Sequence, residues 1–211
     1  MHERKMRKAM KSRKPFHREG FCVTPRKEVE IRNIAEQVRK LFYPHNHKYL
    51  DVIDFLERKM PLVFEYFRYE IVEPHELPDR EAEMDPIGFC IRIQEPIYEK
   101  AIENDGHCRF TIAHELGHWF LHREQTLAFG RPARDGDIPA YRHSEWQADV
   151  FARNFLAPWS LAKGMSAEQI EKVFEVSREV AAIVSGEPDV KVKRPYVSLG
   201  TGPMLPGFES L

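Results

Sequence analysis

Residues 111–122 read TIAHELGHWFLH, an apolar run interrupted by His114, Glu115, His118 and His122. On an α-helix, residues four apart stand one above the other, so the imidazoles of His114 and His118 can converge on a single ion. Glu115 is rotated by about 100° from His114, which sets it beside such an ion as a general base and not as a ligand. Neutral imidazole nitrogens suit zinc, and a catalytic zinc takes three protein ligands with a further position for water.

The third ligand has to come from elsewhere. His122 lies eight residues after His114, about 12 Å along a straight helix, too far to share the ion, so it is read as packing or rim. A third histidine placed as in metzincins would fall at position 124, where the chain has Glu124. The segment EWQADVFA offers Glu145 with Asp149 one turn later on the same face. Glu145 is therefore assigned to the metal, and Asp149 is expected to accept the free ring N–H of a ligating histidine and fix its tautomer. Tyr141 and His143, just before this helix, are expected to donate hydrogen bonds to the oxyanion of a tetrahedral intermediate.

These residues need helices to hold them. Phe110, Ala113, Leu116 and Phe120 recur near a 3.6 period, and Asp105-Gly106 makes a helix start, so the HExxH helix is predicted over 106–123. Gly117 would let a neighbouring element approach closely. Ser144 reads as the N-cap of a second helix over 144–157, closed by Pro158. Between them, residues 123–142 carry Gly130, Pro132, Gly136 and Pro139 and read as a long loop. Upstream, Thr24-Pro25 resembles an N-cap and first turn for a helix bearing Ile31, Ile34, Ala35, Val38 and Leu41. A shorter helix through Leu50, Ile53 and Leu56 is expected to stop at Pro61. Residues 62–72 and 88–94 read as strands, with the polar stretch EPHELPDREAEMDP between them as a loop or a long hairpin connection. Residues 166–186 read as two short helices split near Val176-Ser177.

The stretches RFTIAHELGHWFLH (109–122) and YRHSEWQADVFARNFLAP (141–158) resemble the ImmA/IrrE family of zinc-dependent metallopeptidases. The resemblance implies zinc on His114, His118 and Glu145, with Glu115 as the catalytic glutamate. The Glu-xxx-Asp spacing is also similar to that of gluzincins, where the aspartate supports a ligand, as Asp149 would here. The fold implied is α+β: a mostly helical zincin-like domain with a small mixed or antiparallel sheet packed on the HExxH helix. Members of the family typically cleave a helix-turn-helix transcriptional repressor in a stress or element-transfer response. A repressor is thus the expected protein substrate. The alternative is a regulatory or toxin-antitoxin component that keeps the fold and binds a partner regulator or DNA without cutting. Residues 166–186 look superficially like a helix-turn-helix but lack a basic recognition face, so a packing role is expected and direct nucleic-acid binding is not.

Composition agrees with one globular domain. The 211 residues balance 32 Lys and Arg against 33 Asp and Glu, which gives no bulk field for nucleic acid. No apolar run reaches the roughly 18 residues of a membrane span. Residues 1–24 are read as a basic flexible tail without the apolar centre of a secretory signal. Residues 25–187 form the expected metallopeptidase domain, and 188–211 a Pro- and Gly-rich tail. Cys22, Cys90 and Cys108 are odd in number, widely spaced and without a CxxC pair, which fits a reducing cytoplasm.

Overall fold

A computed structural model describes residues 20–85, 89–124, 131–133 and 138–187. The chain enters as strand β1 (Gly20–Cys22), followed by helix α1 (Glu28–Phe42). The helix begins three residues later than Pro25 suggests. Lys27 is its N-cap, and Glu30 reaches back to the Lys27 N–H at 2.5 Å, closing a capping box. Ile31, Ala35 and Val38 form its buried face.

The second helical stretch runs through Pro61, where the sequence suggests a stop. Helix α2 (Val52–Asp54), capped by the Asp51 carboxylate, widens into a π turn (Phe55–Lys59) and continues as α3 (Met60–Val63). In the π turn the Met60 N–H bonds to the Phe55 carbonyl, five residues back. Proline has no N–H to give to the carbonyl four residues before it, and the wider turn lets the helical path pass that position. Leu62 and Val63, expected in a strand, end α3 and are 80% and 55% exposed.

Strand β2 (Arg68–Val72) pairs in parallel with β4 (Cys90–Gln94), and β3 (Ala82–Asp85) pairs antiparallel with the other side of β4. The order β2-β4-β3 makes a small mixed sheet. The presence of β3 adds a strand to the stretch 73–86, read as a loop or a long hairpin connection: a 3-10 turn (Pro74–Glu76) leads to an edge strand of which only Ala82 is buried. Its half-buried Glu, Met and Asp positions give too weak an alternation to be seen in the sequence. Ile91 and Ile93 of the central strand are wholly buried, as their alternation predicts.

Helix α4 (Glu95–Ile102) returns the chain to the HExxH helix α5 (Gly106–His122). Asp105 caps α5 by accepting the Cys108 N–H at 2.9 Å, as expected from Asp105-Gly106. Strand β5 (Arg131–Ala133) pairs antiparallel with β1, so the segment 123–142 is not loop throughout. A 3-10 turn (Ala140–Arg142) precedes helix α6 (Ser144–Leu156). His143, not Ser144, is the N-cap residue; the Ser144 hydroxyl instead accepts the Phe21 N–H at 2.9 Å. Helices α7 (Trp159–Ala162), α8 (Ala167–Phe174) and α9 (Arg178–Ser185) finish the described chain. Ile170, Phe174, Val180, Ala181 and Ala182 of the last two helices join the main core, the packing role expected of them.

The fold is α+β, with α5 packed between the sheet and α6. A Cβ on Gly117 would stand 3.0 Å from the Ala148 carbonyl oxygen and 3.1 Å from its Cα, so the two helices touch backbone to backbone at this residue. Phe55, Phe120, Phe151 and Phe155 stack and tilt against one another beside this crossing. Two arginines are buried with backbone carbonyls as partners. Arg39 donates to Phe155, His47 and Lys48, and Arg109 to Leu50, Phe174 and Glu175. Together they tie the 47–50 connection to α6 and to the end of α8. Of the segment read as a tail over residues 1–24, the described part is not loose, since residues 20–22 are strand and Val23 is buried. Residues 1–19 and 188–211 lie outside the described residues.

Candidate metal centre

Helix α5 presents its imidazoles to α6 because Gly117, between His114 and His118, lets the helices close. Glu145 lies in the first turn of α6 and Asp149 one turn on, both turned to α5. The Nε2 atoms of His114 and His118 are 2.9 Å apart. Each stands 3.3 Å from a different oxygen of Glu145: Oε2 for His114, Oε1 for His118. Among the described residues these three side chains form a group able to hold a metal ion.

The donor set fits zinc. Ligand atoms about 2.0–2.1 Å from a tetrahedral zinc stand about 3.3 Å from one another, close to the three separations found here. Two imidazoles and one carboxylate are also a softer, smaller set than magnesium or calcium requires. Protons can bridge these atoms, and so can one metal ion. Asp149 Oδ1 lies 2.8 Å from His114 Nδ1, so that nitrogen carries the proton and Nε2 is left to ligate.

The charges reinforce the arrangement. Burial works against an imidazolium at His114, yet Asp149 and Glu145 outweigh it and lift its pKa from 6.5 to about 10. Burial likewise opposes ionisation of Glu145, but His118 and His114 hold its carboxyl well below 4.5. His122 behaves in the opposite way, since burial, with His118 alongside, drops its pKa to about 3 and keeps it neutral.

His122 is not among the ligand atoms, as its distance along the helix implies, but it is not merely packing or rim. Its Nδ1 lies 3.2 Å from His118 Nδ1, and its Nε2 lies 3.1 Å from Gln147 Oε1. Gln147, wholly buried, donates through Nε2 to the Thr24 and Tyr141 carbonyls at 2.9 and 2.8 Å. Sequence reasoning overlooked Gln147. The sequence offered only its place between Glu145 and Asp149 on one helix and His122 one turn beyond His118; its burial comes from the fold.

Glu115 is 8% exposed and follows Thr111 by one turn. Thr111 donates to Glu81 Oε2 at 3.3 Å, immediately before β3, so Glu115 lies on the α5 face that runs beside that strand. Tyr141 is 48% exposed in the 3-10 turn, whereas His143 is 1% exposed. Strand β1 covers His143. A Cβ on Gly20 would come within 2.5 Å of His143 Cε1, 2.8 Å of Ser144 Oγ and 2.9 Å of Glu145 Cγ, so only glycine lets β1 lie against the Glu145 side chain. The strand is held there by Val23 N–H donating to the Arg142 carbonyl at 2.8 Å and by a bridge between Cys22 and His143.

Residues 89–184 match the model of a peptidase family, described as the IrrE N-terminal-like domain. This segment is similar to that family. The match spans the sheet's central strand, the HExxH helix, the Glu145 helix and the C-terminal helices, so the matched segment contains His114, Glu115, His118 and Glu145. No curated protein and no solved structure matches the chain. The likeness is to a peptidase family and covers residues 89–184 of the chain. No helix among the described residues is long and apolar enough to cross a membrane.

Proposed function

We propose that the protein is a zinc-dependent metalloendopeptidase that cuts a protein substrate at a defined site. The observation that carries this reading is the convergence of His114, His118 and Glu145, with Glu115 the residue after His114 on the same helix. His114, His118 and Glu145 would hold zinc, which when bound would supply polarisation of the scissile carbonyl and a water acidified towards a pKa of about 7. Glu115 takes the proton of the attacking water and delivers it to the leaving amine. Asp149 keeps His114 in the ligating tautomer. Of the two candidate oxyanion donors, Tyr141 has the solvent-facing ring and is the one assigned; His143, beneath β1, shapes the wall.

The outer edge of β3, which pairs only with β4 among the described residues, offers an extended peptide backbone groups to bond beside α5. The substrate proposed is a helix-turn-helix repressor, on the strength of the family resemblance. The free thiols of Cys22, Cys90 and Cys108 suit work in a reducing cytoplasm. The test is incubation of zinc-loaded protein with a repressor encoded beside its gene. A discrete cut is expected, and Glu115→Gln should keep stoichiometric zinc while slowing cleavage by about 10²–10⁴-fold. A Glu115→Gln protein that cuts at the native rate would remove the assigned base.

A further inference from the structure

We propose that Gln147 and His122 act as a positioning relay that fixes the proton of His118 on Nδ1 and so presents its Nε2 to the metal. The inference rests on the metal site proposed above and concerns the one ligating histidine that has no carboxylate behind its ring.

Hydrogen-bond direction runs one way through the chain of contacts. The two N–H groups of Gln147 are directed to the Thr24 and Tyr141 carbonyls, at 2.9 and 2.8 Å. A carbonyl can only accept, so the amide cannot be flipped, and its Oε1 must point to His122. Oε1 also only accepts. The proton of His122 therefore sits on Nε2, 3.1 Å away. A neutral imidazole carries one ring proton, which leaves His122 Nδ1 as a bare acceptor facing His118 Nδ1 at 3.2 Å. Two nitrogens at that distance need one hydrogen between them, and His118 supplies it. With Nδ1 engaged by His122, Nε2 is the nitrogen turned to the metal site, 2.9 Å from His114 Nε2 and 3.3 Å from Glu145 Oε1.

Burial makes the relay binding on His118. Gln147 is wholly buried and His122 is 2% exposed, so water has little room to replace either partner. The anchor is backbone, from two places: Thr24 just after β1 and Tyr141 just before α6. Metal ligands are commonly oriented through the second ring nitrogen by a carboxylate, carbonyl or water, and removing such a partner typically costs about 10–100-fold in metal affinity. Here a neutral imidazole and an amide take that place.

Two measurements on the full-length chain decide it. Nitrogen-15 NMR of the imidazoles in the native protein should show His122 with its proton on Nε2; a proton on Nδ1 overturns the proposal. Zinc affinity, read by chelator competition, should fall about 10–100-fold in His122→Phe and Gln147→Leu. His122→Asn, whose Oδ1 can stand in for Nδ1 as the acceptor, should recover most of that loss. If asparagine binds zinc no better than phenylalanine, His122 fills space only and the relay is wrong. Should a variant not fold, the native spectrum still gives the answer. A native protein that binds no zinc, with His118→Ala unchanged from it, would defeat the metal reading and leave the His122 tautomer to be judged by NMR alone.

Discussion

His114 and His118 leave the same helix one turn apart and meet the same carboxylate, yet they are held from behind by opposite chemistries. His114 backs onto the charged Asp149. His118 backs onto a neutral imidazole and an amide that end at backbone carbonyls. An ionic partner makes a ligand more basic and binds its behaviour to pH. A neutral relay fixes orientation without adding charge. One site thus separates two tasks, electronic strengthening on one side and alignment on the other.

The contrast can be broken most directly at the residue both histidines share. Glu145→Ala should abolish stoichiometric zinc binding, measured by metal analysis after gel filtration, because each Nε2 loses the oxygen 3.3 Å away. Retention of full zinc would mean the histidines bind without α6, and the two-sided picture would fall.

The next largest effect separates the sides. With His114 lifted to about 10 by Asp149 and Glu145 after its burial penalty, zinc must displace a proton from it at neutral pH. The sign follows: affinity should climb as pH rises from about 6.5 towards 10, since fewer His114 rings remain protonated. Asp149→Asn should lower affinity by about 10–100-fold and also flatten that climb, because the ring returns towards its ordinary value. His122→Asn should leave the slope as in the native protein. Equal slopes in both variants would erase the distinction.

A smaller change should act on both sides alike. Gly117→Ala puts a methyl 3.0 Å from the Ala148 carbonyl and 3.3 Å from Phe151 Cβ, and should destabilise the fold by about 1–3 kcal/mol in a denaturant titration. The gap between α5 and α6 widens for His114 and His118 together, so the effects of the Asp149 and His122 variants should keep their ratio. A change confined to one of them would show that the helices do not move as a unit.

Much of this centre is legible in the chain because it depends on helical spacing. His114, Glu115 and His118 follow from a 3.6 period, and Glu145 and Asp149 from a search for a carboxylate pair on the next helix. The helix pair and the split near Val176-Ser177 are equally local. What escapes is set by distant partners. Strand β1 is three residues long and pairs with Arg131–Ala133 more than a hundred positions away, so no local pattern announces it. Ser144 looks like a cap until Phe21 claims its hydroxyl. Pro61 looks like a stop until a π turn carries the helix past it. Gln147 reads as an ordinary polar residue until Thr24 and Tyr141 turn its amide.

The strand over Glu145 also bears on how the molecule is built in time. Phe21 and Ser144 are 123 residues apart in the chain, so their bond closes nearly the longest loop in the described fold. Contacts of such separation form late, after local helices have docked. The α5–α6 pair is expected to meet before β1 is laid on as a closing seam. Its Phe21 and Val23 amides should accordingly exchange with solvent sooner than those at the middle of α5, marking the seam as the first part of the site to open.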